Sequence, residues 1–252
     1  MGLTHSRTPP RLAAAALLVG IGAALALTGC RRTPSEEPGD MNHNAPPTPA
    51  PAAAQPPAAP NPVPPPPARR FTLPRADAQK AFADARRRGL PADGLLVVAD
   101  IRSQRLHVID ADDVACEYVM SSSKFGTGNK INSNQTPLGW HRINERIGGD
   151  QIHGRSFTSR RPDPVVLEPS QWRSDGGKDY VLTRILWLEG LEPGVNAGGA
   201  VDTHARCIYI HGTNQEHLLG QPSSHGCLRL SNRDVMELYD TVERRETYCL
   251  IR

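Results

Sequence analysis

The stretch His211-Gly212-Thr213-Asn214-Gln215-Glu216-His217-Leu218-Leu219-Gly220-Gln221-Pro222-Ser223-Ser224-His225-Gly226-Cys227-Leu228-Arg229-Leu230 joins two short apolar runs through a polar loop. Read outward from it, Arg206 to Ile210 is predicted to be a strand, and with a period of two Cys207, Tyr209 and His211 share one face. Cys227 to Leu230 is predicted to be a second strand, with Cys227 and Arg229 on one face and Leu228 and Leu230 on the other. Two neighbouring strands of this kind would present His211, Cys227 and Arg229 to a common cleft. A thiol attacks acyl carbons well only as the thiolate, and its ordinary pKa is about 8.5, so a reactive cysteine needs a base or cation nearby. His211 fills that requirement for Cys227.

Length and composition set the frame. The chain has 252 residues and a formal net charge of +3, with acidic and basic residues interspersed. No basic tract supports nucleic-acid binding. The cysteines are Cys30, Cys116, Cys207, Cys227 and Cys249. Cys116, Cys207 and Cys249 read either as one disulfide with a thiol left over or as small apolar fillers of strands, and spacing does not choose.

Residues 1–30 have the anatomy of an export signal: Arg7 and Arg11 precede the apolar run Leu12 to Leu27. Leu27-Thr28-Gly29-Cys30 resembles the lipobox of bacterial lipoproteins, which implies lipidation at Cys30. Residues 31–70 form a linker, almost entirely proline and alanine from Ala45 to Ala68. Proline fixes φ and removes donors, so at roughly 3.1 Å per residue this spacer extends on the order of 120 Å. A helical lead-in over 71–93 follows, with a helix from Pro74 to Arg88 ended by Gly89 and Pro91. From residue 94 to 252 the chain turns β-rich. Strands are predicted at Leu95–Ala99, Arg105–Ile109, Ala115–Ser121, from Trp140 to Ile147, Val181–Leu188 and Thr247–Ile251. Ser121 to Gln135 reads as a loop bordering a site, and Pro162 and Pro164 as interruptions of a polar segment. Ser231, with Asp234 three residues on, opens a helix running to about Val242.

His211-Gly212, Ser224-His225-Gly226-Cys227-Leu228-Arg229 and the upstream Thr136-Pro137-x-Gly139-aromatic element together resemble the L,D-transpeptidases of the YkuD type, over roughly Gly94 to Arg252. The resemblance implies a mostly-β fold, a sandwich or incomplete barrel with a few short helices. It implies Cys227 as nucleophile and His211 as general base or ion-pair partner, with a main-chain carbonyl near Gly212 as the orienting acceptor. The substrate it implies is a peptidoglycan stem: a thioester forms at the third residue, D-alanine leaves, and an amine of a second stem, a lysine of a wall-attached lipoprotein, or water takes the acyl group. The N–H groups of Cys227 and Gly226 would stabilise the oxyanion. Gly212, Ser224 and His225 count as substrate contacts. Arg229 is expected to bind a stem carboxylate through its planar fork or to lower the thiol pKa, with a structural salt bridge as the other reading. Trp140 and Trp187 read either as core aromatics or as lining of the substrate groove, and Lys124, Asn134 and Arg184 carry the same two readings. No cofactor and no metal are expected, since no CxxC or HExxH pattern accompanies His211, His225 and Cys227. The lipid anchor would place the domain in the cell envelope, facing the periplasm, at the outer membrane rather than the inner. A competing reading is a non-catalytic lipoprotein that tethers the wall.

Overall fold

The computed structural model describes residues 71–111, 113–172 and 178–252. Cys30, the signal-like segment and the linker lie outside the described residues. Helix α1 spans Arg75–Arg87, and strands β1 (Leu95–Asp100), β2 (Arg105–Asp110) and β3 (Asp113–Val119) follow. Then come β4 (Gly139–Ile147), β5 (Arg155–Thr158), β6 (Arg161–Val166) and β7 (Val181–Gly190). Strands β8 (Tyr209–Gly212) and β9 (Leu228–Leu230), helix α2 (Asn232–Val242) and β10 (Thr247–Ile251) complete the order.

All ten strands join one mixed sheet, ordered β3-β2-β1-β10-β4-β7-β5-β6, with β8 on β7 and β9 on β8. The β1–β10 and β8–β9 pairs are parallel and the rest antiparallel. Just past β3, Ser121 exchanges backbone hydrogen bonds with Arg229 of β9, both at 2.9 Å. That bridge brings the two far regions of the sheet together, and the mostly-β, incompletely closed fold expected from the sequence follows.

Alternation along β1 separates two cores. Leu95, Val97 and Ala99 face a large cluster shared with Leu186, Leu188, Ile210, Leu228 and Leu230 and with Val235, Leu238, Tyr239 and Val242 of α2. Leu96 and Val98 face the other side, where Ala78, Ala81 and Ala85 of α1 pack with Trp140. The small side chains at these positions form one stripe of α1, so the helix sits close on the sheet. The lead-in segment is therefore part of the β domain's own core. Gly89, at φ +102°, ends α1 in the left-handed region. Ser231 caps α2, its hydroxyl accepting the Asp234 N–H at 3.0 Å.

Two local expectations change. Pro162 and Pro164 do not interrupt structure; they sit in β6, the outer strand of a hairpin with β5. Proline is tolerated there because an edge strand need not donate on its open side. Ser159 and Arg160, at φ +49° and +67°, form the tight turn between the two strands. The strand expected from Arg206 starts instead at Tyr209: Cys207 adopts φ +57° and its N–H donates to His204 O, so a turn occupies Arg206 and Cys207.

Candidate active site

The parallel pairing of β8 with β9 sets Ile210 opposite Leu228, His211 opposite Arg229 and Gly212 opposite Leu230. Ile210, Leu228 and Leu230 enter the large core, so His211 and Arg229 stand on the other face. Cys227 precedes β9 by one residue and packs with Tyr209 and Trp187 on that second face. Its Sγ accepts the Tyr209 N–H at 3.4 Å and lies 3.5 Å from Cys207 O. His211 and Cys227 line one cavity of about 230 Å³, with Asp179, Val181, Ser224 and His225.

His211 is buried, and its Nδ1 lies 2.7 Å from Gly212 O. A carbonyl only accepts, so Nδ1 carries the hydrogen and Nε2 keeps its lone pair, the form a base requires. Gly212 thus orients the imidazole, as the resemblance implies. A Cβ at Gly212 would stand 2.4 Å from Asn232 Oδ1 and 2.8 Å from Leu182 O, so the strand can pass here only as glycine. Asn232 is itself fixed: Nδ2 donates to Thr213 O (2.7 Å) and Glu216 Oε1 (2.9 Å), and Oδ1 accepts from Thr183 (2.6 Å).

The Ser224–Cys227 turn is tied internally. Ser224 is buried, donates its hydroxyl to Cys227 O at 2.6 Å and accepts the Gly226 N–H at 3.2 Å. Ser224 therefore shapes the turn, and the Gly226 N–H, expected as an oxyanion donor, is already engaged. Gly226 has φ +130°, a conformation that side chains rarely adopt, and a Cβ would meet Ile208 at 3.2 Å. Its carbonyl accepts from Thr136 Oγ1 at 2.9 Å, and that oxygen also accepts the Ser123 N–H at 3.0 Å. The upstream Thr136-Pro137 element thus braces the turn that carries the cysteine.

Arg229 is placed differently from the expected carboxylate contact. Its side chain is 0% exposed, and Nη1 donates to Asp179 Oδ1 at 3.0 Å and Gln215 Oε1 at 2.8 Å, while Nη2 donates to Ser223 Oγ. A guanidinium this buried has to be paired, and the salt-bridge reading is the one realised. Asp179, which no spacing in the sequence singles out, is the carboxylate of the site. Its Oδ2 lies 3.7 Å from Nδ1 of His225, an exposed residue whose ring leans on Phe125.

Burial dominates the electrostatics. It pushes the Cys227 thiol up to about 12; the Tyr209 N–H opposes this and Asp179 adds to it. Burial holds the His211 imidazole below its ordinary value, with Asp179 opposing. Both shifts favour the uncharged thiol and the uncharged imidazole.

The other named residues scatter. Trp140 packs under α1, and Arg184 is buried with Nη1 on the carbonyls of Gln151 and Thr183, both at 2.8 Å. Trp187 lies beneath the site, stacked on His204 at 3.8 Å between ring centres. Asn134 lines a neighbouring cavity with Arg206 and His225, and Lys124 lines another. Cys116, Cys207, Cys227 and Cys249 are free thiols. Among the described residues no group of three or more His, Cys, Asp or Glu stands in a metal-binding arrangement, and no helix is long and apolar enough to cross a membrane.

The chain is similar to solved L,D-transpeptidase structures. That from Xylanimonas cellulosilytica (residues 123–326) shares 20% identity over 69% of this chain and 68% of its own, with a TM-score of 0.36. The enzyme from Mycobacterium smegmatis shares 18% over 63% and 58%, TM-score 0.34. L,D-transpeptidase 3 from Mycobacterium tuberculosis shares 16% over 63% and 61%, TM-score 0.38. The chain thus spans about three fifths of the length of the two mycobacterial structures. A search of curated proteins returns no match. The YkuD family description, L,D-transpeptidase catalytic domain, matches residues 95–248, more than half of the chain and the whole of the β8–β9 site. By that match the chain belongs to the YkuD L,D-transpeptidase catalytic domain family.

Proposed function

We propose that this protein is a peptidoglycan L,D-transpeptidase working through Cys227 and His211. The observation that carries the reading is the clamp of His211 Nδ1 on Gly212 O, with Cys227 in the same cavity. With Nδ1 held on Gly212 O and burial favouring the uncharged forms, His211 acts as a general base during attack: Nε2 takes the thiol proton as Sγ bonds to the carbonyl carbon of the third stem residue. The Cys227 N–H is the oxyanion donor, since Gly226 N–H is held by Ser224. The C–N bond breaks, His211 returns its proton to the departing amine of D-alanine, and a thioester remains on Cys227. An amine of a second stem then resolves it, giving a 3-3 cross-link; a lysine of a wall-attached lipoprotein would give protein anchoring, and water a carboxypeptidase.

In the same proposal Cys30 is lipidated, and residues 31–70 tether the domain to the outer membrane on its periplasmic side, within reach of the wall. The full-length protein incubated with purified disaccharide tetrapeptide, with products resolved by mass spectrometry, tests the chemistry. Loss of D-alanine with a dimer is the expected result. Tripeptide alone would assign hydrolysis instead, and unaltered tetrapeptide would contradict the enzyme reading.

A further inference from the structure

Beside the Cys227 cavity lies a second one, of about 370 Å³, whose lining includes Lys124, Asp179, Gln215, Leu218, Ser223 and His225. Asp179 and His225 line both cavities, so the two adjoin. Three of the lining side chains, Asp179, Gln215 and Ser223, are the partners of the buried Arg229 guanidinium. The Arg229–Asp179 ion pair therefore stands at this wall with its charges balanced, and the Arg229 Nε has no hydrogen-bond partner among the described residues. Asp179 is the only carboxylate among the described residues that line the cavity, and Arg229 holds it at 3.0 Å.

Lys124 is the charge left over. It is exposed and has no ion pair among the described residues, resting with Nζ 5.3 Å from the Phe125 ring centre. Its backbone N–H donates to Ser224 O at 3.1 Å, which pins it to the turn carrying Cys227. With the guanidinium and the carboxylate balancing each other, the Lys124 ammonium leaves the cavity net positive, which favours an anion.

We infer that this cavity holds the carboxylate of the amino acid whose amine leaves, or enters, at Cys227. The inference rests on the proposed function. In acylation the C–S bond forms, the C–N bond breaks and His211 supplies the proton, so the departing residue carries its carboxylate two bonds from the released nitrogen. Aminolysis of the thioester is the reverse: C–N forms, C–S breaks and His211 takes the amine's proton. An incoming amine whose neighbouring carbon bears a carboxylate therefore passes through the same position with that carboxylate on Lys124, whereas a protein lysine or water has nothing to place there. The cavity favours amino-acid acceptors over hydrolysis.

The test compares a stem tetrapeptide ending in D-alanine with the same peptide ending in D-alaninamide, as acylating substrates of the full-length protein, followed by mass spectrometry. The wild type should prefer the acid by about tenfold in kcat/KM, the worth of one partly exposed charge-assisted contact. Lys124→Ala should bring that ratio close to one, and Lys124→Arg should keep it. A merely structural lysine would lower both rates together and leave the ratio alone, which would overturn the inference. Equal rates with acid and amide in the wild type would overturn it as well while leaving the proposed function standing. Acylation by neither peptide would remove both.

Discussion

At the scale of single residues the site is defined by what holds Cys227 and His211 neutral. With the thiol pushed up to about 12 by burial, alkylation of Cys227 by iodoacetamide should accelerate steadily from pH 6 to pH 10. A rate plateau below pH 8 would show a standing ion pair and contradict the general-base mechanism. Gly226→Ala puts a Cβ on a backbone at φ +130° against Ile208, so it should cost about 1–3 kcal/mol in urea unfolding and slow acylation. Unchanged stability would mean the turn is not strained by a side chain. That His211 and Cys227 meet in one cavity was legible from residue chemistry and spacing, and the contact of His211 with Gly212 O from resemblance. Asp179 was not, because it reaches the site from a distant loop by pairing with Arg229 and carries no motif of its own. Which of the two readings of Arg229 the fold realises in its ion pair was not legible for a related reason. Period two gives the face a side chain takes, but not whether a partner waits there.

At the scale of elements, the pairing of two very short strands does the positioning. Strand β9 has only three residues, so its place depends on β8 along one side, the Ser121 bridge and the start of α2. The cap of α2 is one support, and Ser231→Ala should cost about 1 kcal/mol of stability, measured by urea denaturation, with acylation little changed. A second support is Asn232. Asn232→Ala removes bonds to Thr213, Glu216 and Thr183 in a fully buried position, so a loss of about 2–4 kcal/mol is expected together with slower acylation, through Gly212 and His211. A stable, fully active Asn232→Ala protein would refute that coupling. Terminal strand β10 and the α2 cap were readable because alternation and capping are local. The start of β8 was not, since left-handed Cys207 looks like any strand residue in sequence, and the prolines of β6 misled because edge position is a property of the whole sheet.

For the whole molecule, the contact of α1 with the sheet decides where the folded unit begins. Removal of residues 1–70 should leave a cooperatively folding protein, whereas removal of residues 1–93 strips α1 from Leu96, Val98 and Trp140 and should give an aggregating or non-cooperative product by thermal unfolding. Equal melting of the two truncations would show that the helix is dispensable. Buried histidines set the acid limit. His141, His107 and His211 are all held below the ordinary 6.5 by burial, His141 at about 4. Since burial favours their neutral forms, the stability they contribute is present above pH 6.5 and is lost as pH falls below it, for His141 by up to about 1.4 kcal/mol per pH unit down to about 4. Tm should drop across that window, and a flat Tm would contradict their neutral burial. The central claim is tested most directly by the intact mass of the full-length protein after brief exposure to a stem tetrapeptide. A mass increase equal to the peptide less D-alanine, located on Cys227 and missing in Cys227→Ala, is the result expected; no adduct on the wild type, or the same adduct on Cys227→Ala, would contradict it.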